Sequence, residues 1–176
     1  MTTDSELKKL AEEGKLAFEA GNYETAADMF GNAAKGYASL DDRVNEAEMK
    51  NNLSVTLLKL GKPQEALDTV SGTDAVFAEA KDLKRQGMAV GNQASALEAL
   101  KRSDEALGAY ERSAQIFADA HEGDLRSMVL KSAAGIKLKR GKVADSAVKM
   151  VGSLEAKEKP SIFDRLLRFI VRLVVR

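Results

Sequence analysis

The chain has 176 residues, 44% of them hydrophobic, enough to bury a core as one domain. Its 27 basic and 27 acidic residues cancel, so no global field draws it to nucleic acid, and the absence of cysteine excludes a disulfide framework and thiolate metal sites. Aromatics are only 5%, while Ala, Leu, Glu and Lys dominate, the composition of an all-helical protein.

The opening, MTTDSELKKLAEEG, is polar with no apolar h-region, which argues against a secretory signal and for a cytoplasmic protein. Thr3-Asp4-Ser5-Glu6 supplies caps and acidic first-turn residues, so a first helix is expected from there to Ala20. Gly21-Asn22 makes an elbow and Tyr23 to Ser39 a second helix. Asp41-Asp42 caps a third, which buries Leu53, Leu57, Leu58 and Leu60 and is stopped by Gly61-Lys62-Pro63. Pro63 is tolerated in the first turn of a fourth helix. Val70-Ser71-Gly72-Thr73 are poor helix formers in the middle of that helix, which should make it the softest and kink it.

Asp82 to Leu100 and Ser103 to Ala120 read as the fifth and sixth helices, an αα-hairpin closed at Lys101-Arg102-Ser103-Asp104. Ala94, Leu97 and Leu100 on one side, with Ala106, Leu107, Tyr110, Ala114 and Phe117 on the other, have the offsets of one-faced helices. His121-Glu122-Gly123-Asp124 is a turn, with Asp124 capping a seventh helix to about Lys139. Gly141 is the expected last elbow, and an eighth helix from Val143 decays into the charged run Glu155 to Lys159.

These elements repeat in steps of 40. Ala26, Ala66, Ala106 and Ser146 align as the small residue opening the second helix of each hairpin, and Phe30, Val70, Tyr110 and Met150 follow as the large one. Gly14, Ser54, Ala94 and Ala134 align as the small residue of the first helix, and Gly21, Gly61, Lys101 and Gly141 as the elbow. Four copies in one register indicate a repeat array.

The small residue, turn, small residue and following large residue resemble the tetratricopeptide repeat. The step of 40 exceeds the usual 34, so each helix should run about one turn longer, as in the kinesin light chain, LGN-type, SNAP and Rap-like repeats. The resemblance implies a right-handed all-α solenoid of four hairpins over residues 1–158, the repeats covering about 7–40, 41–80, 82–120 and 124–158. A short linker at 159–161 and an amphipathic C-terminal helix at 162–176 would follow.

It also implies a non-catalytic scaffold, with a protein or peptide ligand in a groove lined by the first helix of each hairpin. Asn52 and Asn92 share a column in that groove; an amide suits the backbone of an extended peptide, and each could equally bond a neighbouring side chain. Lys15 and Lys59 are the cations beside them. Ala11, Lys15 and Met88 stand where chaperone-binding relatives carry a carboxylate clamp, so binding of chaperone tails is not expected.

After Lys159-Pro160-Ser161 the composition changes to ten apolar residues, four Arg and one Asp. On a helical wheel Arg165, Arg168, Arg172 and Arg176 form one stripe, while Phe163, Leu166, Phe169, Ile170 and Leu173 lie in an apolar arc of roughly 200°. Fifteen residues of helix reach only about 22 Å, too short for a hydrocarbon core of about 30 Å. Three burials remain: an anionic membrane surface, suggested by the tail's net +3 against −3 for the rest; a cap on the last hairpin; or a homo-oligomer.

No enzyme or cofactor is expected. His121 is the sole histidine, in a turn beside acids, and Gly87 and Gly91 fall within a helical pattern rather than in a phosphate loop. The reading is thus a cytoplasmic scaffold, peripheral on the inner face of a membrane if the tail meets lipid, and otherwise a soluble homo-oligomeric adaptor.

Overall fold

A computed structural model describes residues 3–155, and side chains up to residue 142. The described chain is all helical: α1 Asp4–Glu19, α2 Tyr23–Ser39, α3 Arg43–Lys59, α4 Pro63–Val70, α5 Thr73–Glu79, α6 Leu83–Ala99, α7 Ser103–Asp119 and α8 Gly123–Glu155. The most extensive packings join α6 to α7, α2 to α3 and α1 to α2. Helices thus pack on their neighbours in sequence, the arrangement of an α-solenoid. The chain divides into two compact units, Met1–Ala133 and Ala134–Arg176; the first holds α1 to α7 and the start of α8.

Six connections are built alike. Gly21, Asp41, Gly61, Lys81, Lys101 and His121, spaced by twenty residues, all adopt left-handed φ between 57° and 79°. At Gly21 the N–H of the left-handed residue donates to Phe18 O at 3.0 Å, and the next N–H, of Asn22, reaches Ala17 O at 2.9 Å. This is the Schellman arrangement that satisfies the last carbonyls of a helix. The same pair of bonds recurs at Asp41-Asp42, Gly61-Lys62, Lys81-Asp82, Lys101-Arg102 and His121-Glu122. The residue after the left-handed one is already the start of the next helix, since Asn22 O accepts from Ala26 N and Asp42 O from Glu46 N. Asp42 and Asp82 add side-chain caps, accepting from Asn45 N at 3.1 Å and Arg85 N at 2.9 Å.

The repeat columns form the core. Ala26, Ala66 and Ala106 are fully buried, and Phe30, Val70 and Tyr110 stand 2%, 0% and 4% exposed. Each such large apolar side chain contributes about 1.5–3 kcal/mol when taken out of water. The small residues of the facing helices admit them. A Cβ at Gly14 would lie 2.9 Å from the Phe30 ring, and Ser54 Oγ donates to Ala66 O at 2.8 Å.

Two expectations change. The predicted fourth helix is not kinked but divided: α4 ends at Val70, Gly72 is left-handed at φ 80°, and α5 begins at Thr73, whose Oγ1 donates to Val70 O at 2.8 Å. Glycine supplies the positive φ that breaks the ladder there. The expected elbow at Gly141 is not formed, because α8 runs without a break from Gly123 to Glu155, and the separate seventh and eighth helices are one. Asp124 accordingly lies in the first turn of α8 rather than at its cap. The linker at 159–161 and the tail at 162–176 lie outside the described residues.

Candidate functional site

The face of α1 and α3 carries a cavity of about 160 Å³ lined by Lys15, Phe18, Glu19, Phe30, Asn52 and Val55. Two aromatic side chains, Phe30 and Phe18, shape it. Phe30 reaches α1 because Gly14 leaves no Cβ in its way, and Phe18 is held edge-on to Tyr23, ring centroids 5.4 Å apart at 62°. The polar groups come from the outward positions of the same two helices: Lys15 and Glu19 from α1, Asn52 from α3. The Lys15 ammonium lies 3.4 Å from Glu12, an exposed pair worth little in water, so the cation remains available to a ligand.

Two of the four predicted groove residues, Lys15 and Asn52, therefore line one cavity. Asn92 does not join them. Its Nδ2 donates to Oδ1 of the buried Asn51 at 3.2 Å, so the amide bonds a neighbouring side chain across α3 and α6. Lys59 is exposed in the last turn of α3, outside the lining. The predicted contact residues Phe163, Leu166, Phe169, Ile170, Leu173, Arg165, Arg168, Arg172 and Arg176 fall outside the described part of the chain.

Phe18, Glu19 and Val55 were not singled out from sequence. Their columns change character from repeat to repeat (Phe18, Leu58, Glu98; Glu19, Lys59, Ala99; Val55, Ser95), so periodicity gives no signal for them. The same variation distinguishes the corresponding place two repeats on. There Tyr110 replaces Phe30, and its hydroxyl meets Ser95 Oγ and Glu98 Oε2, each at 3.1 Å. Burial pushes the Tyr110 phenol above its ordinary value. An internal polar network thus stands where α1 and α3 leave an apolar hollow.

A second polar cluster ties α3, α5 and α6 together. Arg85 donates to Asp82 Oδ2 at 2.6 Å and to Glu48 Oε2 at 2.8 Å, with its guanidinium 5.4 Å from the Phe77 ring centroid. The backbone N–H of Arg85 bonded to Asp82, followed by its side chain, holds the Asp82 carboxyl below its usual range. All donors and acceptors in this cluster serve the packing of helices.

His121 occupies an elbow with φ 57°, exposed to solvent. Among the described residues no group of three or more His, Cys, Asp or Glu is placed to hold a metal ion, and no helix is long and apolar enough to cross a membrane. No protein-family model matches the sequence. No curated protein matches it significantly.

Proposed function

We propose that the protein is a non-catalytic scaffold of tetratricopeptide type that holds an extended peptide across α1 and α3. The observation that carries this reading is the hollow between those helices, with Phe18, Phe30 and Val55 for an apolar side chain and Lys15, Glu19 and Asn52 for polar partners. An amide beside an apolar hollow suits a peptide, because Asn52 can offer a donor and an acceptor to its backbone while one side chain enters between the rings. A hollow of this size takes one side chain, so affinity would come from a short segment and be modest.

Panning a random peptide display library on the full chain tests this. The expected result is enrichment of sequences with one aromatic or branched aliphatic residue next to an acid. Capture should weaken about tenfold on Asn52→Ala and on Lys15→Glu, each a loss of roughly 1.4 kcal/mol. Equal capture by both variants refutes the site.

The tail supplies the second half of the proposal. Its Arg stripe and broad apolar arc fit an anionic bilayer surface, which would hold the scaffold at a membrane. Phe169→Asp with Leu173→Asp should release the full chain from phosphatidylserine vesicles in co-sedimentation; pelleting that survives both changes removes lipid insertion from the account.

A further inference from the structure

Three of the helices that run into an elbow end on an acid: α1 on Glu19, α5 on Glu79 and α7 on Asp119. A carboxylate in the last turn opposes the helix macrodipole, so it destabilises the helix it terminates unless a donor or a cation meets it. Two of the three are met within the chain. Glu79 pairs with Arg43 of α3 at 3.0 Å, and Asp119 Oδ1 accepts from Gln115 Nε2 at 3.0 Å. Glu19 is the exception. The last turn of α1 carries no basic residue, and among the described residues no hydrogen bond or ion pair engages the Glu19 carboxylate.

The cation nearest to it along α1 is Lys15, four residues earlier. Lys9 and Glu13, with the same spacing and order, do pair, at 3.7 Å. Lys15 turns instead to Glu12 at 3.4 Å and leaves Glu19 alone. Both Lys15 and Glu19 line the hollow between α1 and α3, beside Phe18 and Phe30. Opposite charges thus stand at one small apolar site without neutralising each other, and nothing inside the fold offsets the unfavourable charge at the end of α1.

We propose, on the reading of this hollow as a peptide site in which Lys15 meets an acid, that Glu19 meets a basic side chain of the same segment, so that the site selects a peptide with an apolar residue between an acid and a Lys or Arg. The spacing agrees. Lys15 and Glu19 lie about 6 Å apart along α1, and alternate residues of an extended chain, which share a face, lie about 6.6 Å apart. The residue between them is left to fill the hollow. The Glu19 carboxylate is then met from outside the chain, as Arg43 meets Glu79 from within it.

Substitutions on both sides of the contact test this with the full chain. The probes are end-blocked, fluorescein-labelled peptides with Glu-Phe-Lys, Lys-Phe-Glu, Glu-Phe-Gln or Gln-Phe-Glu inside a Gly-Ser frame, so that both chain senses are present, titrated by fluorescence polarisation. Changing the peptide's Lys to Gln should weaken binding to the unmodified chain about three- to fivefold, the upper range for a solvent-exposed ion pair, and should make no difference to Glu19→Gln. Glu19→Lys should prefer Glu-Phe-Glu to Glu-Phe-Lys. Glu19→Gln should also melt at a higher temperature than the unmodified chain, because the opposed charge has left the end of α1. A lower melting temperature overturns the proposal, since the carboxylate would then serve the fold. An unchanged preference for Lys in Glu19→Gln, with binding still weakened by Asn52→Ala, overturns it and leaves the hollow as an apolar peptide pocket. Binding of no probe, or binding indifferent to both Glu19→Gln and Asn52→Ala, overturns the peptide site along with it.

Discussion

Lys81 and Lys101 hold the left-handed conformation at φ 58° and 61°, positions where Gly21 and Gly61 do the same work without a Cβ. An L-residue with a side chain is about 1–2 kcal/mol less stable there, whereas glycine loses roughly 0.5–1 kcal/mol more backbone entropy on folding. The difference predicts that Lys101→Gly stabilises the protein by about 0.5–1 kcal/mol, which corresponds to a melting temperature about 2–4 °C higher for the larger figure. Lys101 is exposed, so little packing is lost with the side chain. Lys81→Gly should match it and the pair should add, since the two elbows lie at opposite ends of α6. Asp41→Gly should gain less, because Asp tolerates this region better than Lys. Gly61→Ala should lose about as much as Lys101→Gly gains. Urea titrations followed by circular dichroism provide the readout, with the slope checked for constancy so that midpoint shifts measure stability. A loss of stability on Lys101→Gly comparable to that of glycine inside a helix would refute the geometry of the elbow.

Other expectations rest on single sites. Gly87→Ala puts a Cβ 2.7 Å from the buried Phe117 ring and should cost about 1–3 kcal/mol in the same titration, while Gly108→Ala, with open space around it, should stabilise α7 by about 1 kcal/mol. Asp82 has a depressed carboxyl, so its contribution is complete above the ordinary value of 3.8 and fades as the pH falls through the lower folded value. Melting scans below pH 4 should therefore show a loss that Asp82→Asn reduces, and at neutral pH that variant should be less stable by about 0.5–2 kcal/mol through the weakened cap.

The elements most legible in the sequence were those fixed by local chemistry in a repeating frame. Ala26, Ala66 and Ala106 with Phe30, Val70 and Tyr110 marked the crossing points, and all six are buried. Asp42 and Asp82 marked helix starts. Val70 to Thr73 was legible as weak, but whether it bends or breaks depends on one glycine taking positive φ, a choice among backbone wells that composition does not make. Gly141 shows the converse: a residue suited to an elbow does not form one by itself, because the turn is held by the packing of the two helices it joins. In the candidate site Lys15 and Asn52 were accessible to columnwise reading. The hollow beside them was not, since it depends on Phe18 and Phe30 meeting from different helices, and Asn92 was diverted by the neighbouring Asn51, a polar residue in a column that Ala11 and Gly91 also keep buried.

Because the residue that ends each Schellman turn also begins the next helix, the connections contain no slack. Adding one residue within a helix such as α2, α3 or α7 would rotate everything beyond it by about 100° and advance it by about 1.5 Å, pulling every later column out of register at once. The chain is in this sense ruled off in twenties, and its length is as constrained as its chemistry. One interval between elbows is built differently: between Gly61 and Lys81 the helix is already interrupted at Ser71-Gly72. That break is where an inserted loop, an epitope or a fluorescent reporter could be accommodated with the columns on either side undisturbed.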